Sequence, residues 1–576
     1  MIKFQEIPYI QPDFEALKSD FEALLSALKT EKKAAELWRI FQEINQIHLN
    51  FRTAYHLAYI LNGRDSSIES HQEKLRYFDT HLPLFHKLID EFHQILLKHP
   101  HRTAIEAKVG KQYFVIIAHN TPQDTSSLDL TPLKQKEQKL ISEYRTNLSQ
   151  RFIDYEGEKT SMGKIFKAMG SPDENIRQKA SDALLNHHQQ KSPQLEAIFE
   201  QLVQIRHQKA IAMDYNNFVE LGYLQAQRQE YGVQEIEHFN QLIQKYIVPL
   251  HKKMQVQRAK RLKVETLQYR DTALKFPDGN PRIEGDLADA MKKCQSLFSN
   301  ISPELGLLFK GMLEGGYIDS EMRPNKSPIQ QKVTLPNYHI SYIFSYWMGR
   351  AKNIQVLAHE IGHAFQTYKS EPFNLKAPEY IYPSMDLAEV HSTTLEFLTL
   401  AHYSIFFEQL DLKKAHILFV ENLVFNLLNR SAYEEFQQKV YENPNSGMKG
   451  RNNYWKEIQQ KYFPPSNLTP KEEHPYLQSG KRWQKSFHLF TRPFYMVEYN
   501  LAYICSMQLW MRSEQEGFEV AWQDYVKLCE KGGSISFLEA LELVRLDSPF
   551  EETTVRKVTK FLEKWMDQHI GTTITE

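Results

Sequence analysis

The most informative stretch of the sequence is Gln355-Val356-Leu357-Ala358-His359-Glu360-Ile361-Gly362-His363-Ala364-Phe365-Gln366. In it, His359 and His363 are four residues apart, so on a helix both imidazoles lie on one face and can reach one metal ion. Zinc accepts nitrogen ligands of this kind, and Glu360 occupies the position that such a motif uses for a general base. The stretch therefore predicts a catalytic zinc site on a helix.

The residues around the motif support this helix. Apolar side chains recur at three- and four-residue spacing and would form one packed face, at Ile354, Leu357, Ile361, Phe365 and Tyr368. The two histidines would project from the opposite face. A chance match to the motif is the competing interpretation, and the apolar stripe and a preceding β-rich segment argue against it.

The spacing of the third ligand separates the peptidase classes. A third histidine in the extended motif is excluded, because Gln366 and Lys369 occupy the required Gly and His positions. A glutamate nineteen residues after the second histidine is excluded as well, because Tyr382 stands there. The third ligand must therefore come from another position.

A predicted helix downstream of the motif offers that ligand. Ser384 can cap this helix, and Glu389 and Glu396 are seven residues apart and share one of its faces. Glu389 is our predicted third ligand, and Glu396 is the predicted acceptor that orients a ligand imidazole. Two alternatives stay open at this point: a solvated acidic face, and His391 as the ligand.

The periodicity of the whole chain predicts a mostly α fold. Apolar residues recur at helical spacing over residues 12–204 and again from the motif to about residue 567. Between residues 315 and 349, Gly and Pro punctuate the sequence, and the run His339–Trp347 is aromatic, β-branched and partly alternating. A small β-sheet is therefore predicted directly before the motif helix.

The composition limits which kinds of binding partner and which cellular compartment we expect for the protein. The chain of 576 residues has 70 Lys plus Arg and 71 Asp plus Glu, so no basic field favours nucleic acid or anionic lipid. Its three cysteines lack the spacing of a disulfide framework or a thiolate zinc site. The N-terminus lacks the apolar core of a signal peptide. We expect a cytoplasmic protein that binds small molecules or peptides, with no obligate protein partner evident.

These residues resemble the thimet oligopeptidase and oligoendopeptidase F family of zinc peptidases, most closely its oligoendopeptidase F branch. The resemblance rests on the motif stretch, on Glu389-Val390-His391-Ser392 with Glu396, on Asn217–Tyr223, on Arg492-Pro493-Phe494-Tyr495 with Glu498-Tyr499, and on Gly532-Gly533-Ser534 followed by Ser548–Glu551. It covers most of residues 200 to 560. A helical N-terminal lobe over 1–204 and a catalytic domain over 205–576 are the predicted division.

The resemblance implies site residues beyond the motif. It gives His359, His363 and Glu389 as zinc ligands and Glu360 as the general base. It also implies that Tyr495 and Tyr499 donate hydrogen bonds to the developing oxyanion or the substrate backbone, with His488 nearby. The residue three positions after Tyr499, where the family has a third tyrosine, is Ala502.

The resemblance also implies where the substrate binds. It points to the segment 340–349 as the strand edge on which an extended peptide pairs, with Tyr346 and Gly349 as substrate-binding residues. Tyr503, on the same helical face as Tyr495 and Tyr499, is a further predicted substrate contact. The implied fold is two helical lobes that enclose a deep substrate channel, which would admit short unstructured peptides.

The predicted function is zinc-dependent hydrolysis of internal peptide bonds, with one Zn²⁺ per chain. Two alternatives remain open. A zinc carboxypeptidase would need a group that binds the free terminal carboxylate, for which Arg492 is the candidate. A non-catalytic peptide-binding helical scaffold is the other, and an intact Glu360 argues against it.

Overall fold

Helices make up most of the fold. The computed structural model describes residues 2–121, 130–149, 152–226, 228–327, 329–464 and 474–570. The helices are α1 (Phe14–Thr30), α2 (Ala34–Arg64), α3 (Glu69–Lys98), α4 (Arg102–Val109), α5 (Lys111–Asn120), α6 (Thr131–Ser149), α7 (Met162–Met169), α8 (Glu174–Ala212), α9 (Phe218–Gln225), α10 (Val233–Leu262), α11 (Leu287–Ile301), α12 (Pro303–Glu314), α13 (Ala351–Lys369), α14 (Glu371–Asn374), α15 (Met385–Leu398), α16 (Gln409–Glu442), α17 (Gly447–Tyr462), α18 (Pro475–Gln478), α19 (Phe487–Thr491), α20 (Met496–Glu516), α21 (Phe518–Lys531), α22 (Phe537–Leu543) and α23 (Glu552–Ile570).

The strands form two small sheets. They are β1 (Phe152–Tyr155), β2 (Glu158–Ser161), β3 (Ile318–Asp319), β4 (Gln331–Leu335) and β5 (Ile340–Phe344). The predicted mostly α fold and the small sheet beside the motif helix are confirmed. Periodicity predicts only helices in the N-terminal region, but the structure also has the β1–β2 hairpin there. The hairpin turns through Glu156 and Gly157, which both have positive φ.

The chain forms two compact units, each built from separated segments. The first unit comprises Met1–Gln123, Arg282–Phe407 and Cys505–Ser548, and the second comprises Asp124–Pro281, Glu408–Ile504 and Pro549–Glu576. The predicted single boundary after residue 204 falls inside α8 and stays a prediction. The three cysteines are free and buried.

The first unit has an aromatic core between its N-terminal helices. Phe51 of α2 stacks on Phe85 of α3 with ring centres 4.0 Å apart, and both side chains are fully buried. The same core includes Tyr380, whose hydroxyl donates to the carbonyl of Val109 at 2.8 Å. Burial of these large rings stabilises the packing of these helices against one another.

The second unit is organised around buried charge. Arg206 of α8 is fully buried and donates to the Tyr441 hydroxyl at 2.7 Å and to the Phe490 carbonyl at 2.6 Å. Its Nε pairs with Glu137 of α6 at 2.8 Å. One guanidinium thus ties α6, α8 and α16 to the segment before α20, because each of its donors needs a partner once it is removed from water.

The three-stranded sheet has the order β3-β5-β4. β5 pairs antiparallel with β4, with Val333 opposite Tyr342, and parallel with β3, with Ile318 opposite Ile343. The prediction that segment 340–349 is an edge strand is therefore wrong for β5, which is the central strand. β3 and β4 are the two edge strands of this sheet, and no strand among the described residues pairs with the outer side of β4.

The motif helix α13 and helix α15 touch at a glycine. A Cβ built on Gly362 would lie 2.8 Å from the Ser392 Cα and 2.9 Å from the His391 carbonyl oxygen. These are backbone atoms, so neither can move without shifting α15. Gly362 therefore lets the two helices approach closely, and it does so within the motif itself.

Gly362→Ala is expected to lower the free energy of unfolding by about 1–3 kcal/mol, because the added methyl overpacks the contact between two backbones. Denaturant titration followed by circular dichroism measures the loss. Gly163→Ala in α7 is the matched control, because its Cβ would meet only the Ser161 hydroxyl at 3.9 Å. Equal stability of the two variants would contradict the close packing of α13 against α15.

Candidate metal centre and tyrosine cluster

Three predicted ligands meet at one point in the first unit. The Glu389 Oε2 lies 3.3 Å from His359 Nε2 and 3.7 Å from His363 Nε2. The ligand atoms of the three residues all lie within 4.8 Å of one another. Helix α13 supplies the two imidazoles from adjacent turns. Helix α15 supplies the carboxylate of Glu389, three residues before Ser392, which faces Gly362.

The geometry of these atoms fits a zinc ion. Zinc binds imidazole nitrogens and carboxylate oxygens at roughly 2.0–2.2 Å, so tetrahedral ligands lie about 3.4 Å apart. The two distances from Glu389 bracket that value. Both ring nitrogens involved are Nε2, which leaves the Nδ1 atoms for the supporting hydrogen bonds typical of zinc-binding histidines.

The supporting carboxylate is in place. Glu396 accepts a hydrogen bond from His359 Nδ1 at 2.8 Å. Glu389 and Glu396 are 2% and 5% exposed, so the solvated acidic face considered above is wrong. Burial by itself would lower the pKa of His359, but Glu389 and Glu396 outweigh it and raise that pKa to about 9. The surroundings of His359 therefore favour positive charge at this point.

Glu360 lies on α13 between the two histidines and is itself buried. Burial raises the pKa of its carboxyl to about 7, while His359 and Lys332 act in the opposite direction. Burial of His363 lowers the pKa of its imidazole well below the usual value. A carboxylate with a pKa near neutrality can both accept and return a proton under physiological conditions.

His391 does not join the ligand group. Its Nε2 lies 3.2 Å from the Leu528 carbonyl oxygen, its side chain is fully buried, and burial lowers its pKa to about 4. The ring faces α21 rather than the two histidines of α13. It packs in the core of the first unit as a neutral imidazole, so the structure favours Glu389 over His391.

Tyr346 and Gly349 lie between β5 and α13 and are engaged with nearby backbone. The Tyr346 hydroxyl donates to the Ser327 carbonyl, and its own carbonyl accepts from Asn353 at 2.8 Å. Gly349 has φ +65 and accepts from the Ile283 amide at 2.8 Å. Both residues shape the loop that leads into the motif helix, and their contact with a substrate stays a prediction.

The predicted tyrosines cluster with His488 in the second unit. The Tyr495 and Tyr499 hydroxyl oxygens are 3.4 Å apart, and the His488 ring centre is 5.0 Å from that of Tyr495. The Arg430 guanidinium lies 4.4 Å from the Tyr499 ring centre and 4.7 Å from that of Tyr503. The structure thus brings these four predicted residues together around an arginine that sequence reasoning missed.

Buried ion pairs hold the segment that carries the tyrosines. Arg228 donates from Nε to Glu498 at 2.7 Å and pairs with Glu434 at 3.3 Å. It also donates to the carbonyl of Phe494, a non-glycine residue with φ +65 whose ring packs against Gly222. Phe494 and Glu498 flank Tyr495, so this network fixes the start of α20 and with it the position of that tyrosine.

Arg228→Met is expected to lower the free energy of unfolding by about 3–5 kcal/mol, because it leaves two carboxylates buried without their counter-ion. Urea titration with tyrosine and tryptophan fluorescence as the probe measures the change. Arg39→Met is the matched control: Arg39 also pairs with two glutamates, but its side chain is 53% exposed. We expect the control to unfold at nearly the wild-type urea concentration, because solvent screens exposed ion pairs. Similar losses in both would contradict a structural role for the buried network.

Lys332 is a second residue that sequence reasoning missed. It lies on β4, and its Nζ donates to Thr367 Oγ1 at 3.0 Å, one helical turn beyond His363. The signal in the sequence is weak: a lysine inside a short strand that is otherwise apolar or neutral. Only pairing of β4 with β5, and packing of that sheet on α13, brings it beside the motif.

Comparisons with known proteins agree with the sequence resemblance. Residues 303–559 match Peptidase family M3, and residues 4–121 match the Peptidase M3 N-terminal domain. Oligopeptidase PepF of Bacillus subtilis (strain 168) is 23% identical over 235 residues, a match that covers 39% of this chain and spans about a third (33%) of that curated relative.

Two solved structures match over nearly the full length. PZ peptidase A, solved with an inhibitor, is 33% identical with a TM-score of 0.92, and the match covers 98% of this chain and 99% of that one. A structure assigned as an oligoendopeptidase F is 31% identical with a TM-score of 0.92 over the same shares of the two chains. The predicted resemblance is therefore confirmed, and the chain belongs to peptidase family M3, in its oligoendopeptidase F branch.

Proposed function

We propose that this protein is a zinc-dependent oligoendopeptidase that hydrolyses internal bonds of short unstructured peptides. One observation carries the proposal: the ligand atoms of His359, His363 and Glu389 lie within 4.8 Å of one another, with Glu360 buried on the same helix. Membership of peptidase family M3 supports the reaction class. PZ peptidase A, which is 33% identical and was solved with an inhibitor, supports by its name an action on peptides.

In this proposal Glu360 moves the proton. A zinc ion bound by the three ligands would supply an acidified water and a polarised substrate carbonyl. Glu360 takes the proton of the attacking water and returns it to the nitrogen of the departing amine. Glu396 holds the His359 ring through its Nδ1 proton, so that Nε2 keeps its lone pair for the ion.

The tyrosines would stabilise the negative charge that develops on the substrate oxygen. Tyr495 and Tyr499 present two hydroxyl donors within 3.4 Å of each other, and one well-placed donor is worth roughly 3 kcal/mol to such a reaction. His488 and Tyr503 extend the same cluster and are proposed as neighbours of the bound substrate. The family resemblance carries these roles.

The proposal includes the narrow substrate channel that the resemblance implies, which would exclude folded proteins. No helix in the described part of the chain is both long enough and apolar enough to cross a membrane. The cytoplasmic location stays a prediction.

Glu360→Gln is expected to reduce cleavage by at least about 10²-fold, because the variant loses the group that accepts the proton. Mass spectrometry of products from a mixed set of peptides, about 5 to 20 residues long, measures the loss and shows which bonds are cut. Glu314→Gln, an exposed position on α12, is the matched control and should cleave like the wild type.

The same products discriminate the alternatives. Internal cuts that disappear in Glu360→Gln support the oligoendopeptidase. Stepwise removal of C-terminal residues would instead support a zinc carboxypeptidase, with Arg492 as the candidate group that binds the terminal carboxylate. Peptide that binds but stays uncut by the zinc-loaded wild type would support the binding scaffold and contradict the proposal.

Glu396→Met is expected to weaken zinc binding by about 10–100-fold, because the His359 Nδ1 loses its acceptor while the three ligands stay intact. Competition with a chromophoric chelator measures the affinity. Glu396→Gln keeps an acceptor oxygen and should lie between Met and the wild type. Unchanged affinity in Glu396→Met would contradict the orienting role.

A further inference from the structure

Two positive side chains in the first unit contact one aromatic ring. The Arg52 guanidinium of α2 lies 4.5 Å from the ring centre of Tyr382, and the Lys332 ammonium of β4 lies 5.9 Å from it. Among the residues that the structure describes, no carboxylate approaches either cation within the 4.0 Å of an ion pair. Arg52, Lys332 and Tyr382 are all half-buried, so the cluster is not sealed from solvent.

The cluster lies beside the metal ligands. The Lys332 ammonium donates to Thr367 Oγ1 at 3.0 Å, and that hydroxyl in turn donates to the His363 carbonyl at 3.0 Å. Lys332 belongs to the edge strand β4, and its charge acts on Glu360. A ligand that reached Glu360 along this edge would therefore meet the ammonium group.

An internal counter-ion does not explain these charges. Glu360 is the carboxylate that influences Lys332 most, yet the two do not form an ion pair. Burial lowers the pKa of Lys332 to about 8, so the amine is mostly protonated at neutral pH. A partly desolvated cation without an anion is unfavourable, and a bound anion would relieve that cost.

We infer that Arg52 and Lys332 form a carboxylate-binding subsite, which makes the enzyme prefer peptides that place a carboxylate there. This inference rests on the proposed function. A guanidinium can hold a carboxylate through two parallel hydrogen bonds, and an ammonium adds a point charge. The carboxylate belongs either to an Asp or Glu side chain of the peptide or to its free C-terminus.

The test compares matched peptides within each enzyme. One cleavable sequence is prepared with Glu or Gln at each position in turn, and with a C-terminal acid or amide. The ratio of kcat/KM between the charged and the neutral peptide is the readout. We expect the wild type to favour the charged form about tenfold at one site, a factor that corresponds to about one strong charged contact.

Variants of Lys332 and Arg52 test whether each cation causes the preference for the charged peptide. Lys332→Met and Arg52→Gln should each bring the ratio toward one, and Arg52→Glu should reverse it in favour of the neutral peptide. Lys310→Met, on the exposed face of α12, should leave it unchanged. A response to the Glu series identifies a side-chain subsite, and a response only to the acid–amide pair identifies a C-terminal one.

The ratio is internal to each enzyme, so a general loss of activity or stability in a variant cancels. Cleavage of the neutral peptide shows that each variant is folded. A wild-type ratio of one, or a ratio that persists in all three variants, would overturn the subsite and leave the proposed peptidase standing. Failure of zinc-loaded wild type to cleave any peptide would overturn both.

Discussion

The close approach of α13 and α15 is the constraint on which the site depends. Where Gly362 faces Ser392, the two helix backbones touch without an intervening side chain. Only this spacing lets the short Glu389 side chain reach both imidazoles, which project from the same helix as the glycine. The motif thus encodes the ligands and also the contact that brings the third ligand to them.

The contact between α13 and α15 brings together more acidic than basic side chains. Glu360, Glu389 and Glu396 are all buried around two imidazoles. Three carboxylates cannot be removed from water together without a compensating cation, because each carries a large desolvation cost. The preference of His359 for a proton is one response to this imbalance. A bound divalent ion would compensate the negative charge more completely. Such an ion accounts for acidic rather than apolar residues at this tightly packed contact.

Sequence reasoning succeeded where the information is local. The motif helix and the downstream helix follow from periodicity, and Glu389 and Glu396 follow from a seven-residue spacing on α15. It failed on the order of strands, because β5 lies between β3 and β4 and no local pattern encodes that pairing. The β1–β2 hairpin was missed for a related reason: its four-residue strands are too short and too charged to show a clear alternation.

The same distinction separates chemistry from specificity in this protein. The proposed ligands, base and orienting carboxylate all lie between His359 and Glu396, so a short stretch of chain determines their geometry. Arg52 of α2 and Lys332 of β4, by contrast, both contact Tyr382 although they are 280 residues apart in the sequence. Such contacts depend on how two separated segments of the chain, Met1–Gln123 and Arg282–Phe407, assemble into one unit. A change far from the motif can therefore alter which peptides bind while the groups that act on the peptide bond stay in place.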